Sequence, residues 1–346
     1  MRKVIIAIII ILCMVIPVSA LDISPPSVPK SAADVMPNDP ETFGEGLWQL
    51  IKAVIGKVQP SLTDAAGVCA GVVAAALLIT LLQPMTGKGK KVAELVCTLS
   101  IGMILLRPSG SLIRLSIQTV EELTEYGKLL LPVMTAALAA QGGITISAAL
   151  YTGTAVFNTF LGNLIAALLV PVIYIYLALA IANSAVGDDA LKKIRDLIKW
   201  SASWILKAGL YLFTGYMSLT GVISGTADAA ALKVTKTAIS GAVPVIGGIL
   251  SNASETVLIS AGMVKNAAGV YGMLAVLALC LEPFVLIGVQ YLLLKFIAAV
   301  CGVFATKQAT ELIADFSSAM GILLAATGTI CLMLLISTVC FMKGVN

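Results

Sequence analysis

Histidine is absent from the 346-residue sequence. Because histidine is the commonest metal ligand and the usual general base of active sites, its absence excludes serine–histidine and cysteine–histidine catalysis and the HExxH zinc motif. The sequence also lacks a phosphate-binding loop: Gly87-Lys88-Gly89-Lys90 has Pro84 where such a loop requires an upstream glycine. We therefore predict that the protein is not an enzyme, and we assign no catalytic residue, no cofactor and no metal site.

Charged residues are scarce as well. Only 12% of the residues are charged and 59% are hydrophobic, whereas soluble domains average about 25% charged and about 45 to 50% apolar residues. One soluble core could not hide several apolar runs that are each long enough to cross the ~30 Å hydrocarbon layer. The composition therefore indicates an integral membrane protein. The net charge of +4 is small, and its scattered basic residues argue against nucleic-acid binding.

The cysteines show no metal-binding or redox pattern, because no two of the seven form a C-x-x-C pair. Cys13 falls in the N-terminal apolar segment. The other six lie in apolar runs, at Cys69, Cys97, Cys280, Cys301, Cys331 and Cys340. Cysteines in such surroundings are typical of small buried hydrophobes, so we predict neither disulfides nor a metal centre.

The N-terminus has the pattern of a cleavable secretory signal peptide over residues 1–20. The basic pair Arg2-Lys3 precedes an apolar run that ends in the small residues Val18-Ser19-Ala20; an uncleaved anchor is the alternative. Residues 21–64 follow as an extracytoplasmic proline-rich arm and an amphipathic helix whose apolar face runs from Phe43 to Val58. This helix either lies on the membrane or packs on another protein.

We predict an all-α, polytopic fold with six full transmembrane helices. Their bounds are Ala65–Leu82, Val92–Leu106, Ala155–Asn183, Ser203–Gly225, Ala267–Leu294 and Ala319–Phe341. The first two spans and an amphipathic segment at the outer surface, Arg107–Lys128, make up residues 65–128. The lysines from Lys88 to Lys91 and the basic cluster that begins at Lys192 mark cytoplasmic segments.

The second part of the chain contains a predicted internal duplication, residues 132–223 and 244–336, within two membrane segments, 129–225 and 226–346. Two prolines and a glycine recur at an offset of 112 residues: Pro132 and Pro244, Pro171 and Pro283, Gly209 and Gly321. Internal repeats build many transporter folds, with the working site at the repeat interface. The duplication therefore predicts two similar membrane units.

Each copy begins with a broken helix, Leu129–Leu150 or Val243–Val264, that either re-enters the membrane or forms a hairpin. If both cross fully, the chain has eight spans instead of six. Glycines four residues apart predict close helix packing at Gly67, Gly71, Gly221 and Gly225. The predicted helix breaks are Pro132, Pro171, Pro244, Gly247, Gly248 and Pro283.

Polar residues at membrane depth are the functional candidates. Glu282 lies in an apolar run before Pro283, and a charge at mid-bilayer costs ~2.5 to 3.5 kcal/mol on insertion scales. Three roles stay open for Glu282: an ion or proton site, a contact to Lys295 or a neighbouring helix, and a helix end at the interface. The candidate intramembrane polar path consists of Glu282, Gln290, Lys295, Asn158, Asn163 and Gln141. Amides of this kind also hydrogen-bond neighbouring helices.

Three runs in the C-terminal half carry a resemblance to a known family. They are Ala242-Val243-Pro244-Val245-Ile246-Gly247-Gly248, Ser260-Ala261 and Lys265-Asn266-Ala267-Ala268-Gly269. With the order of the other parts, they make the chain similar to the stage III sporulation protein AE family of endospore-forming bacteria. The likeness extends from about Asp39 to the C-terminus and is strongest over Val243 to Gly269.

The resemblance implies a non-enzymatic, multi-pass subunit of a secretion-like or feeding channel between mother cell and forespore. It implies a location in the mother-cell membrane around the engulfed forespore, the outer forespore membrane. The implied partners, besides the lipid bilayer, are other membrane and ring-forming proteins of the channel and a separate cytosolic ATPase. The alternative is a self-sufficient secondary transporter or permease, which the repeats alone would equally suggest.

Overall fold

The computed structural model describes residues 26–37, 42–82, 90–187, 189–242 and 247–343. For residues 79, 82, 90, 91, 93, 189, 221–242 and 247–265 it describes the backbone alone. The predicted signal peptide, the loop around Lys88, and Pro244 lie outside the described residues. The side-chain surroundings of Gly221, Gly225, Gly247 and Gly248 do as well.

All regular structure in the described ranges is helical, which confirms the all-α prediction. The α-helices are α1 (Lys30–Ala33), α2 (Phe43–Leu82), α3 (Lys90–Ala140), α4 (Ile144–Leu164), α5 (Val170–Val186), α6 (Asp189–Ala242), α7 (Gly247–Cys301) and α8 (Lys307–Lys343). A π-helical turn, Ile165–Leu169, joins α4 to α5. Helices satisfy their backbone groups internally, as a chain in lipid requires.

Five helical stretches are long and apolar enough to cross a membrane. They are Phe43–Leu78, Glu94–Ala140, Ile144–Val186, Asn266–Cys301 and Lys307–Lys343. Each has at least 36 residues, whereas about 20 suffice for a crossing. The remaining predicted span, Ser203–Gly225, lies in α6. The side chains of its last five residues, from 221 to 225, are outside the described part of the chain. The count of six spans therefore stays a prediction.

The proline-rich arm is more ordered than predicted. Residues 30–33 form α1, and Ala32 and Val35 are buried there at 1% and 4% exposure. Helix α1 packs against α7, and the Ser31 hydroxyl donates to the Glu122 carboxylate of α3. The described part of the arm is therefore not simply an extended linker, because it contains a helical turn and two buried apolar side chains.

The amphipathic helix, predicted either to lie on the membrane or to pack on another protein, is not a separate element. It continues into the first predicted span as α2, without a helix end near residue 64 and with Pro60 inside. The apolar face is real, because Leu50, Val54 and Val58 are all buried at 1% exposure or less. It faces the protein, however, since α2 packs against α3 and α7. An amphipathic pattern shows that one face is buried but not what covers it.

The predicted outer-surface segment Arg107–Lys128 is likewise not a separate helix. It is the middle of α3, which runs on through Pro108 and Pro132. Its apolar face includes Leu123 and Tyr126, both fully buried. The segment is therefore packed within the helix bundle, and its location at the outer membrane surface stays a prediction.

The predicted helix breaks have mixed outcomes. Pro132 and Pro283 lie inside the continuous helices α3 and α7, so neither is a break. Pro171 follows the π-helical turn at the start of α5, where the regular bonding pattern changes. The chain also turns at Gln141-Gly142-Gly143, where Gly142 has a φ of 92°, a left-handed conformation that favours glycine.

The two predicted broken segments differ in the structure. The first forms a hairpin, because α3 and α4 pack together on either side of the Gly142 turn. The second has no corresponding turn: residues 253–255, which lie 112 positions after 141–143, are inside α7. Gly247 begins α7 and Gly248 lies within it. The duplication and any re-entry into the membrane stay predictions.

Helix α8 is at the centre of the bundle and packs against α3, α4, α5, α6 and α7. Polar side chains join it to its neighbours. Examples are the Ser116–Thr327 and Thr154–Ser337 hydroxyl pairs, each at 2.9 Å. Hydrogen bonds between membrane helices contribute about 0.6 to 2 kcal/mol each, so these contacts help to fix which helices lie side by side.

Several helix ends lie close together at one end of the bundle. The Thr80 hydroxyl near the end of α2 donates to the Phe304 carbonyl, 3.1 Å away, in the turn between α7 and α8. Lys192 near the start of α6 pairs with Glu311 near the start of α8 at 3.3 Å. The α2 end that precedes the Lys88 loop therefore lies at the same end of the bundle as the Lys192 segment, as the topology prediction requires.

The predicted packing glycines of α2 make no close helix contact within the described residues. A Cβ added to Gly67 or Gly71 would meet no atom within 4 Å. The close approach predicted for this pair is therefore not made inside the described part of the chain, although contact with another protein stays a prediction. The glycines that do allow close packing lie elsewhere, and Gly153 is the tightest of them.

We expect Gly153→Ala to destabilise the protein by ~1 to 3 kcal/mol, the usual range for overpacking. A Cβ at Gly153 would lie 1.9 Å from a ring carbon of Tyr216. That ring is held in place because its hydroxyl donates to the Ala149 carbonyl at 3.0 Å. The measurement is the thermal unfolding temperature of the purified protein in detergent.

The matched control for this prediction is Gly215→Ala. A Cβ at Gly215 meets nothing within 4 Å, while both substitutions gain the same helix propensity of about 1 kcal/mol. If Gly153→Ala unfolds at the same temperature as Gly215→Ala, or higher, the tight contact between α4 and α6 is absent.

Candidate polar sites between the helices

The most buried charges of the described chain form a cluster between α5, α6 and α8, which we call the charged joint (Tyr176, Lys192, Arg195, Glu311 and Asp315). Arg195 and Asp315 are 4% and 7% exposed. Arg195 donates from Nη1 to Asp315 Oδ2, and the Tyr176 hydroxyl donates to Asp315 Oδ1 at 3.0 Å. Both carboxylate oxygens are thus bonded, as a charge removed from water requires.

The turns before α6 and α8 place these groups together. Gly187 ends α5 in the left-handed region, with a φ of 74°, and so brings the basic start of α6 back against α5. Helix α8 starts at Lys307 after the turn that follows α7. The joint therefore connects the start of α6 to the start of α8.

Glu282 has a partner on another helix. Its Oε2 lies 2.7 Å from the Lys57 ammonium of α2, and the two side chains are 23% and 38% exposed. The predicted contact to Lys295 is wrong: Lys295 donates to the Tyr291 hydroxyl at 3.1 Å. Glu282 and Lys295 are 13 positions apart on α7, about 20 Å at the rise of an α-helix, so the two side chains cannot meet.

A cavity of about 310 Å³ lies between α2, α3 and α7. Its polar lining includes Asp64, Ser111 and Gln290, and Gln290 is only 2% exposed. The Gln290 Nε2 has no hydrogen-bond partner among the described residues. Gln290 follows Glu282 on α7 and Asp64 follows Lys57 on α2, so the ion pair and the cavity lie along one helix contact. We call this contact the α2–α7 seam.

The other predicted path residues lie apart from the seam. Asn158 is buried between α3 and α4, where its amide donates to the Thr124 carbonyl at 2.9 Å. Gln141 lies in the Gly142 turn, Asn163 is exposed, and Lys295 lines another cavity. Of the candidate path residues, only Glu282 and Gln290 share one helix contact among the described residues, and a polar path through the others stays a prediction. Amide positions along separate helices do not indicate which helices meet.

Neither the joint nor the seam has the composition of a metal centre. Within the described ranges no group of three or more histidine, cysteine, aspartate or glutamate side chains lies close enough to hold a metal ion. The six cysteines described there are unpaired, and five of them are buried. The seam can hold water or a small polar solute, and the joint can hold helices together.

Comparison with known proteins gives the family. The family model described as Stage III sporulation protein AE matches residues 36–344. The Stage III sporulation protein AE of Bacillus subtilis (strain 168) is 25% identical over 196 residues, which are 56% of this chain and 48% of that relative. The chain thus spans about half the length of the curated relative it matches, and no solved structure matches it. Because the family model extends over most of its length, the chain belongs to the stage III sporulation protein AE family.

Proposed function

We propose that the protein is a non-enzymatic membrane subunit of a secretion-like channel that connects mother cell and forespore during endospore formation. The observation that carries the proposal is the family match over residues 36–344 in a chain with five helices of membrane-crossing length. A sporulation protein made of such helices acts in a membrane. The membrane that we propose is the mother-cell membrane around the engulfed forespore.

The proposed partners are other membrane and ring-forming proteins of the channel and a separate cytosolic ATPase. One feature is consistent with a part that works in an assembly. Large apolar side chains such as Met103 and Tyr211 are each 72% exposed. Lipid or neighbouring subunits would cover such side chains in the membrane.

The proposal predicts that the tagged full-length protein, extracted from sporulating cells in mild detergent, co-purifies with other sporulation membrane proteins and an ATPase. Deleting its gene is expected to abolish late gene expression in the forespore while engulfment proceeds. Extraction from cells that express the protein without sporulating is the control. Recovery of the same proteins in that control, or normal spores from the deletion strain, would contradict the proposal.

A self-sufficient transporter is the second candidate, and the seam is the observation that favours it. A buried Gln290 amide without a partner beside a cavity of about 310 Å³ is suited to a small polar solute or to water. Purified protein in liposomes separates the two functions. Gradient-driven uptake of a small solute without any partner protein would replace the channel-subunit proposal.

A further inference from the structure

A second cavity, of about 440 Å³, opens between α6, α7 and α8 and is strongly basic. Three lysines line it, Lys199 and Lys207 from α6 and Lys295 from α7, and its lining contains no carboxylate. Hydroxyl groups are interleaved with the lysines, among them Ser203 and Ser318. We call it the basic cavity. Three cations in one concave site create a positive potential that favours an anion.

The three ammonium groups have no carboxylate partner in the described part of the chain. Lys199 donates to the Ser318 hydroxyl at 2.9 Å, and Lys295 donates to the Tyr291 hydroxyl at 3.1 Å. No ion pair within 4 Å joins Lys199, Lys207 or Lys295 to an acidic residue described here. The nearby Asp315 is already bonded to Arg195. No carboxylate of the described residues is therefore paired directly with these three lysines.

Aromatic residues near the cavity are typical of a membrane–water boundary. Trp200 and Trp204 follow Lys199 and Ser203 on α6, are exposed at 62% and 59%, and stack with ring centroids 6.4 Å apart. Tryptophans are enriched at the level of the lipid headgroups. Leu292 and Phe296, which lie near Lys295 on α7 but do not line the cavity, are exposed at 62% and 67%.

We propose that the basic cavity binds the phosphate of an anionic phospholipid, with Lys199, Lys207 and Lys295 around the headgroup and the acyl chains along the exposed apolar side chains. The volume lies within the range of ligand pockets, about 300 to 1,000 Å³. Basic pockets between membrane helices are known to take acidic lipid headgroups. Free phosphate shares the headgroup chemistry, but it would make no use of the apolar flanks.

The test compares lipid retention by full-length protein variants purified in detergent. Native mass spectrometry and phosphate analysis measure bound phosphatidylglycerol and cardiolipin, with phosphatidylcholine as the neutral lipid. We expect Lys207→Gln combined with Lys295→Gln to weaken binding of the two acidic lipids at least about tenfold, because each lysine near a membrane surface contributes about fivefold. Binding of phosphatidylcholine is expected to stay unchanged.

Lys193→Gln is the matched control, since Lys193 is an exposed lysine of α6 that does not line the cavity. It is expected to retain acidic lipids like the parent protein. The unfolding temperature of the double variant, compared with those of the parent and of Lys193→Gln, shows whether the double variant is folded. Equal lipid retention by the double variant and the parent would overturn the proposal. Displacement of all acidic lipid by millimolar inorganic phosphate would also overturn it, by identifying a soluble anion as the occupant. This site is independent of the channel proposal.

Discussion

Asp315→Asn is expected to destabilise the protein by ~3 to 5 kcal/mol, the loss typical of removing one partner from a buried ion pair. The asparagine side chain keeps the shape and can still accept from the Tyr176 hydroxyl. What it removes is the charge that compensates Arg195, which is 4% exposed. The loss is measured as a lower thermal unfolding temperature in detergent and as lower abundance in membranes.

Asp196→Asn provides the matched control. Asp196 also accepts from the Arg195 guanidinium, at 3.3 and 3.4 Å, but its side chain is 59% exposed. Exposed ion pairs contribute about 0 to 1 kcal/mol, so this variant is expected to unfold close to the parent temperature. Equal losses in the two variants would show that Asp315 is no more important to the joint than its exposed neighbour.

A triple variant separates the ion pair from the shape of the joint. Replacing a whole buried pair by apolar residues of similar volume is often neutral or stabilising, so Arg195→Met with Asp315→Leu is expected to recover most of the loss. The third substitution, Tyr176→Phe, removes a hydroxyl that Asp315→Leu would leave without an acceptor. A buried hydroxyl without a partner costs about 1 to 3 kcal/mol. Failure of the triple variant to recover would mean that the joint has a role that apolar packing cannot replace.

The sequence predicts the helices of this protein better than their contacts. Apolar runs without histidine or charge indicate membrane helices directly, and the Gly142 turn follows from two adjacent glycines. Basic clusters identify the segments that meet at one end of the bundle. These features depend on residues that are near one another in the chain, so a single sequence contains the information.

Contacts between helices depend on packing that the sequence does not state. The sequence pattern predicts that Lys57 lies on a helix outside the bundle and therefore gives no reason to pair it with Glu282. In the structure Lys57 Nζ and Glu282 Oε2 lie 2.7 Å apart. Side-chain pairs can be deduced from spacing only within about one helix turn. The sequence around Asp315 likewise gives no sign of its burial, which depends on the turn at Gly187 that returns α6 against α5.

The helix breaks predicted at Pro132 and Pro283 are wrong for a related reason. Pro132 and Pro283 lie in helices that continue past them, because a proline removes one backbone bond that neighbouring helices and side chains can compensate in a packed membrane bundle. Isolated proline positions therefore indicate local loosening, as at the π-helical turn before Pro171, and do not by themselves end a helix.

Lys57→Met is expected to lower membrane abundance and the unfolding temperature, because it leaves the Glu282 carboxylate in the bilayer without its cation. The expected loss is ~3 kcal/mol, since an unpaired charge at membrane depth costs about that much on insertion scales. Glu282→Gln is expected to cost less, because the long Lys57 side chain can extend its ammonium toward water. Lys52→Gln is the control: Lys52 lies on the same helix, 5.2 Å from the centroid of the Trp48 ring, and loses only about 0.5 to 1 kcal/mol of cation–π attraction.

The exchange variant, Lys57→Glu with Glu282→Lys, then distinguishes an anchor from a transport residue. It restores one positive and one negative charge in the seam, so abundance and unfolding temperature are expected to recover toward the parent values. If the pair only holds α2 against α7, expression of a late forespore gene recovers with abundance. If Glu282 instead acts beside the Gln290 cavity in transport, forespore expression stays low although the protein is abundant and folded. Parent-like abundance together with parent-like forespore gene expression in both Lys57→Met and Glu282→Gln would show that the pair contributes neither to anchoring α2 against α7 nor to transport.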